Sequence, residues 1–143
     1  MLVSQLLSQL HREPGDAREF VAYLASVDFY PGDDIDVETV EVGDVVVDYE
    51  KNEIRLVPAS SAEFKPDAGT FTFFGAILDS MPTDVDGPYD MRLFIELPLV
   101  REDPRFDRIE LAELAEVYFG SESQEVWFLV QPASRFERGA LPA

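Results

Sequence analysis

A chain of 143 residues with 29 acidic against 11 basic side chains has a formal charge of −18, yet 46% of it is hydrophobic and 12% aromatic. That is the composition of a folded protein, not of a disordered one, and the length suits one domain with a real core. The charge disfavours direct contact with nucleic-acid phosphates or anionic lipid, and the lack of cysteine excludes disulfides, thiol nucleophiles, thiolate zinc sites and Cys-ligated iron–sulfur clusters.

The N-terminal stretch MLVSQLLSQLHREPGD has neither the basic n-region nor the small-residue cleavage site of a secretory signal. No window reaches the roughly 18 uninterrupted apolar residues of a membrane span, so no membrane association and a cytoplasmic location are expected. Leu2, Leu6, Leu7 and Leu10 recur at helical spacing and predict a first helix over 2–12, ending before Pro14-Gly15. Asp16 followed by Glu19 has the capping-box spacing, and Ala17, Phe20, Val21 and Leu24 then predict a second helix.

From Val45 the period changes to two. Val45, Val47 and Tyr49 alternate, Lys51-Asn52 reverses the chain, and Ile54 and Leu56 resume, which predicts a hairpin. The expected register sets Tyr49 opposite Ile54 and Val47 opposite Leu56, with Asp48 meeting Arg55 as an opposite-charge pair on the other face. FTFFGAIL (71–78) is nearly all apolar and suits a strand buried on both faces, although periodicity does not separate it from a short buried helix.

Residues 91–97 (MRLFIEL) alternate, with Leu93, Ile95 and Leu97 on one face and Arg92, Phe94 and Glu96 on the other; Pro98 closes the strand or sets it near a sheet edge. DRIELAELAE (107–116) fits an amphipathic helix with Asp107 as cap and Leu111, Leu114 and Ala115 inward, an extended reading being open as well. VYF and EVWFLV around GSESQ predict a final hairpin, and 132–143 a flexible C-terminal extension. The expected fold is α+β: one domain over 1–131, with an antiparallel sheet of about five or six strands and two N-terminal helices and one later helix packed to one side.

Catalytic signatures are sparse. His11, the single histidine, ends the first predicted helix beside Arg12, where it would meet last-turn carbonyls. The loop TDVDGPYD gathers Asp84, Asp86 and Asp90 around Gly87, but the EF-hand pattern would need an acid at Pro82 and a bidentate Glu at Leu93. Carboxylate pairs satisfy any spacing rule by chance among 29 acids, and no GxGxxG or GxxxxGK[ST] string occurs. No enzyme activity, no metal and no cofactor are expected.

The charge itself is the signal. Residues 1–27 carry −1, residues 28–53 carry −9 and residues 54–143 carry −8. Asp34, Asp36 and Glu38 stand at i, i+2 and i+4, so an extended chain would project them to one side at about 6.6 Å intervals, a row like spaced phosphates. A field of this kind steers a basic groove onto the protein.

The expected site comprises Asp33, Asp34, Asp36, Glu38, Glu41 and Asp44 with Tyr30 as an apolar anchor. Phe29, Phe64, Tyr89, Phe106 and Phe136 are further aromatics in predicted loops. The expected function is an acidic binding module that inhibits a basic, nucleic-acid-binding protein by charge mimicry, in an immunity or phage anti-defence setting. Dimerisation of the chain is left open.

Three other readings compete. An assembly protein could bind its partner through a sheet edge, the charge only preventing aggregation. A small carboxylate- or metal-dependent enzyme would need a buried acid or a bound ion. Salt adaptation or a GC-rich genome would also produce an acidic chain with nine Arg and two Lys, but would spread its acids evenly. In size, acidity and a leading helix before strands, the chain resembles the small dimeric chaperones of type III secretion; their long C-terminal helix has no counterpart after Val130, and no residue roles carry over.

Overall fold

The computed structural model describes residues 1–10, 15–29, 35–59, 71–82, 90–97, 110–136 and 141–143. Helix α1 (Val3–Leu10) leads into seven strands, β1 (Val21–Phe29), β2 (Ile35–Asp48), β3 (Glu53–Pro58), β4 (Arg92–Leu97), β5 (Glu110–Glu113), β6 (Glu116–Gly120) and β7 (Glu125–Leu129), with helix α2 (Phe74–Asp79) between β3 and β4.

The strands form one mixed sheet in the order β5-β4-β3-β2-β1-β7-β6. β3 and β4 run parallel, as do β1 and β7, and every other neighbouring pair is antiparallel, so the pairing pattern reads the same outward from β2 in both directions. β2 is 14 residues long and serves two ladders in turn, its first half with β1 and its second half with β3. The change of partner coincides with a bulge between Val42 and Asp44, where buried Gly43 is the extra residue. A bulge bends and twists a strand, which lets one strand turn the corner of a curling sheet.

The outermost strands β5 and β6 are consecutive in the chain, separated by Leu114 and Ala115 alone. The Leu114 N–H donates to Leu93 O on β4 at 2.8 Å, and the Ala115 N–H to Leu129 O on β7 at 2.8 Å. Two residues cannot span seven strands of a flat sheet, so the sheet curls far enough to bring one end of β5 beside one end of β6, the two strands remaining unpaired edges.

Inside the curl lies the main core. Ala22, Leu24, Val42, Ile54, Leu56, Leu93, Ile95, Val126 and Phe128 alternate inward along the strands, and α1 and α2 seat Val3, Leu6, Phe74, Ile77 and Leu78 against them. Phe74 meets Phe119 edge-on at 5.6 Å and Phe128 at 5.8 Å. Each such buried side chain contributes about 1.5–3 kcal/mol through removal from water. Gly75 allows α2 to approach the chain before β1, because a Cβ there would sit 3.0 Å from Arg18 O, and Arg18 clasps the helix by an ion pair to Asp79 at 2.7 Å.

A second cluster covers the outer face of β1, β6 and β7. Ala25, Trp127, Leu129 and Phe136 are buried there, with Tyr23, Tyr118, Ala133 and Leu141 packed around them. The described part of the C-terminal segment therefore lies on the sheet: Ala133–Arg135 make a 3-10 turn, and Ala143 O accepts from the Glu122 and Ser123 amides at 3.0 and 2.9 Å.

The fold class expected from sequence needs correction. The sheet is mixed and seven-stranded, not antiparallel with about five or six strands, and the described residues contain two short helices instead of three. The predicted second helix is a 3-10 turn, Ala17–Glu19, followed by β1; Asp16 makes no side-chain cap. Its apolar spacing comes from a strand with both faces covered, Ala22 and Leu24 inward and Tyr23 and Ala25 outward.

The third expected helix, over 107–116, is in its described part β5 and the start of β6, where pairing with β4 and β7 overrides helical propensity. FTFFGAIL goes the other way: Phe71 and Phe73 make isolated bridges, and the rest begins α2. The two hairpins and the strand at 92–97 agree with expectation.

Candidate functional site

The acidic segment is largely β2. Tyr30, Asp33 and Asp34 lie outside the described residues. Asp36 and Glu38 hold backbone positions opposite Asp28 and Ser26 on β1, in step with Val40 and Val42, whereas Glu41 falls on the alternate step, opposite Tyr23. After the bulge, Asp44 stands opposite Val57 and Asp48 opposite Glu53. Of the expected row, Asp36 and Glu38 thus share one register step, while Glu41 takes the alternate one.

The β2–β3 hairpin register is two residues away from the expected one, with Val47 opposite Ile54 and Val45 opposite Leu56. A slip of two preserves which side chains face the core, since the period is two. It does move Tyr49 out of the strand and into the turn, where it is 72% exposed. Asp48 caps this turn, its Oδ1 accepting from the Glu50 and Lys51 amides at 3.0 and 3.2 Å, and Asn52 takes the left-handed conformation at φ 53°.

The hairpin tip is therefore a solvent-facing tyrosine among Asp48, Glu50 and Glu53, with Lys51 as the one nearby base. Sequence reading missed Tyr49 because it continues the alternation of Val45 and Val47; an Asp two residues before Glu50 was the available sign of a side-chain-capped turn.

Across the sheet most described cations are engaged. Arg55 pairs at 3.3 Å with Glu96, which is 3% exposed, and Arg92 lies 3.7 Å from Glu113. Glu113 also accepts a 3.0 Å bond from the N-terminal ammonium, and this bond, with the attraction of that ammonium and Arg92, holds its carboxyl below the ordinary range against a smaller opposing effect of burial. Tyr23 is displaced upward by burial first and then by the charges of Glu125 and Glu41.

Asp90 is occupied by Ser4, whose amide and hydroxyl both donate to it. Asp84, Asp86 and His11 lie outside the described residues. Among the described residues no group of three or more His, Asp or Glu is placed to hold a metal ion, and no helix is long and apolar enough to cross a membrane. A cleft of about 560 Å³ beside α1 is lined by Met1, Ser4, Gln5, Ser8, Gln9 and Ala115, a neutral set apart from the Met1 ammonium. Phe136, expected in a loop, is buried in the outer-face cluster.

Compared with protein-family models, with curated proteins and with solved structures, the chain matches none.

Proposed function

We propose that the protein is an acidic binding module that neutralises a basic, nucleic-acid-binding protein by presenting carboxylates where that partner expects phosphates. The observation that carries this reading is the β2–β3 hairpin tip, where Tyr49 projects into solvent between carboxylates. An exposed aromatic within a charged rim is the usual layout of a protein interface, the ring supplying affinity and the charges orientation and encounter rate. The −9 carried by residues 28–53 feeds the same strand and its hairpin.

The test is affinity capture from a lysate of the native host at about 0.15 M salt, where the Debye length is about 8 Å, followed by about 1 M, where it is about 3 Å. A basic protein held at low salt and released at high salt is the expected result. A triple variant, Tyr49→Ala with Glu50→Lys and Glu53→Lys, should lose that protein, and Asp34, Asp36 and Glu38 changed together to Lys should weaken it further. Asp48 is left intact because it caps the turn. Retention of the partner by both variants would sink the reading.

A sheet-edge assembly interface is the second reading, favoured by Leu111 on edge strand β5, which is 43% exposed. A partner that stays bound through the salt step would support it.

A further inference from the structure

The outer face of the sheet carries a second feature, far in sequence from the hairpin tip. Tyr118 on β6 pairs in register with Trp127 on β7, Trp127 with Tyr23 on β1, and Tyr23 with Glu41 on β2. These four residues form one row across four adjacent strands. At about 4.8 Å per strand the row is about 14 Å long.

The C-terminal segment covers this face at Trp127, and Tyr23, Glu41 and Tyr118 at the margin of that cover are half-buried. Trp127 is the floor, 9% exposed, while Tyr23 and Tyr118 beside it remain partly open. Glu125 stands two residues before Trp127 on the same strand, so it lies on the same face. None of the ion pairs among the described residues uses Glu41 or Glu125.

We propose that the open margin of this row is a seat for an arginine side chain presented by the basic partner, the guanidinium lying on the half-buried Tyr23 ring with Glu41 and Glu125 as its counter-charges and Trp127 as the buried floor beside it. The identification of the occupant rests on the partner reading above. The chemistry of the row selects it: aromatic faces attract cations, and a planar guanidinium can stack on a ring while its N–H fork reaches a carboxylate. An ammonium has no plane to stack.

Two further observations agree. The Tyr23 phenol is displaced upward by burial first and then by the charges of Glu125 and Glu41, which places both carboxylates close enough to act on the ring. The Trp127 indole N–H is buried with no acceptor among the described residues. Buried donors are nearly always paired, so this one leaves a polar demand unmet beside the row.

The protein's single tryptophan is itself the reporter. The full chain is titrated with a capped tripeptide bearing a central arginine, and with its lysine and citrulline counterparts, following Trp127 emission and the amide shifts of Tyr23 and Tyr118. The arginine peptide should give a saturable change at all three positions, the lysine peptide should bind at least about threefold more weakly, and citrulline should not bind.

Glu41→Gln with Glu125→Gln should weaken binding about tenfold, and Tyr23→Leu about threefold to tenfold, whereas Tyr23→Phe keeps the ring and the affinity. Circular dichroism establishes that each variant is folded. Equal binding of citrulline, equal binding of lysine, or indifference to the glutamate changes would each overturn the assignment. The hairpin-tip triple variant separates this seat from the function proposed above: it should bind the arginine peptide like the parent even if no partner is ever captured, and loss of peptide binding there would place the contact on the hairpin and overturn the seat.

Discussion

Leu111 and Leu114 offer a same-chemistry comparison that depends on the fold at the joint of the sheet. On a helix over 107–116 both would face inward, and truncating either would be costly. In the observed structure Leu111 is 43% exposed on β5, whereas Leu114 is 1% exposed in the main core. Leu→Ala removes three carbons, about 2.4 kcal/mol of transfer free energy when burial is complete.

For Leu114 a cavity term adds to this, giving about 3–4 kcal/mol. For Leu111 roughly half the transfer term applies and solvent fills the space, leaving about 1 kcal/mol. At about 3 °C per kcal/mol for a domain of this size, Leu114→Ala should melt about 6–9 °C below Leu111→Ala. Urea and thermal unfolding of the two variants measure the gap. Equal costs would mean that residues 110–114 are helical, and the two-residue joint between β5 and β6 would fall with them.

Gly120→Ala places a Cβ 2.9 Å from Pro142 Cβ and 3.0 Å from Ala143 O, besides 2.5 Å from the more movable Ser123 Oγ. It should cost about 1–3 kcal/mol and speed amide exchange at Glu122 and Ser123, and unchanged exchange would refute the seating of the C-terminal segment on that turn. Glu113 has a lowered pKa in the fold, so its stabilisation is complete above the ordinary carboxylate range and is lost as the pH falls through the lowered value. Glu113→Gln should therefore be less stable than the parent at pH 7, by no more than about 1 kcal/mol for so exposed a group, and the two urea midpoints should converge as the pH falls through the lowered value. A gap independent of pH would show that the carboxylate's charge is not what matters.

How much of this was readable from the chain depended on whether one face of each element meets water. The strand at 92–97 and the β2–β3 hairpin alternate and were legible, and the two-residue register slip at Val47 left their faces unchanged; the β6–β7 hairpin, whose second strand is buried on both faces, was legible from the polar turn GSESQ. β1 was read as a helix because Tyr23 and Ala25 are covered on the outer side by the C-terminal segment, which removes the polar half of the alternation. α2 was hidden for the same reason inside a uniformly apolar run.

The Glu110–Glu113 strand was only the alternative reading of DRIELAELAE, whose local preference is helical; its pairing with β4 is a tertiary fact. The acidity of the site was plain in composition, but the row from Tyr118 to Glu41 joins residues from four strands, and only the register brings them together.

The parallel pairing of β1 with β7 joins Val21 to Glu125, 104 positions apart (125 − 21). Contacts of such long range form slowly, because a large loop must close before the pairing gains anything. On a ribosome adding about 5–20 residues per second, one edge of β1 waits roughly 5–20 s for its partner to be made. During that interval β2 is the neighbour available to it, and β2 with its hairpin holds the densest negative charge in the chain. Repulsion between nascent chains then discourages intermolecular strand pairing while the sheet is still open, so the same carboxylates that would draw a basic partner to the finished protein also guard its assembly.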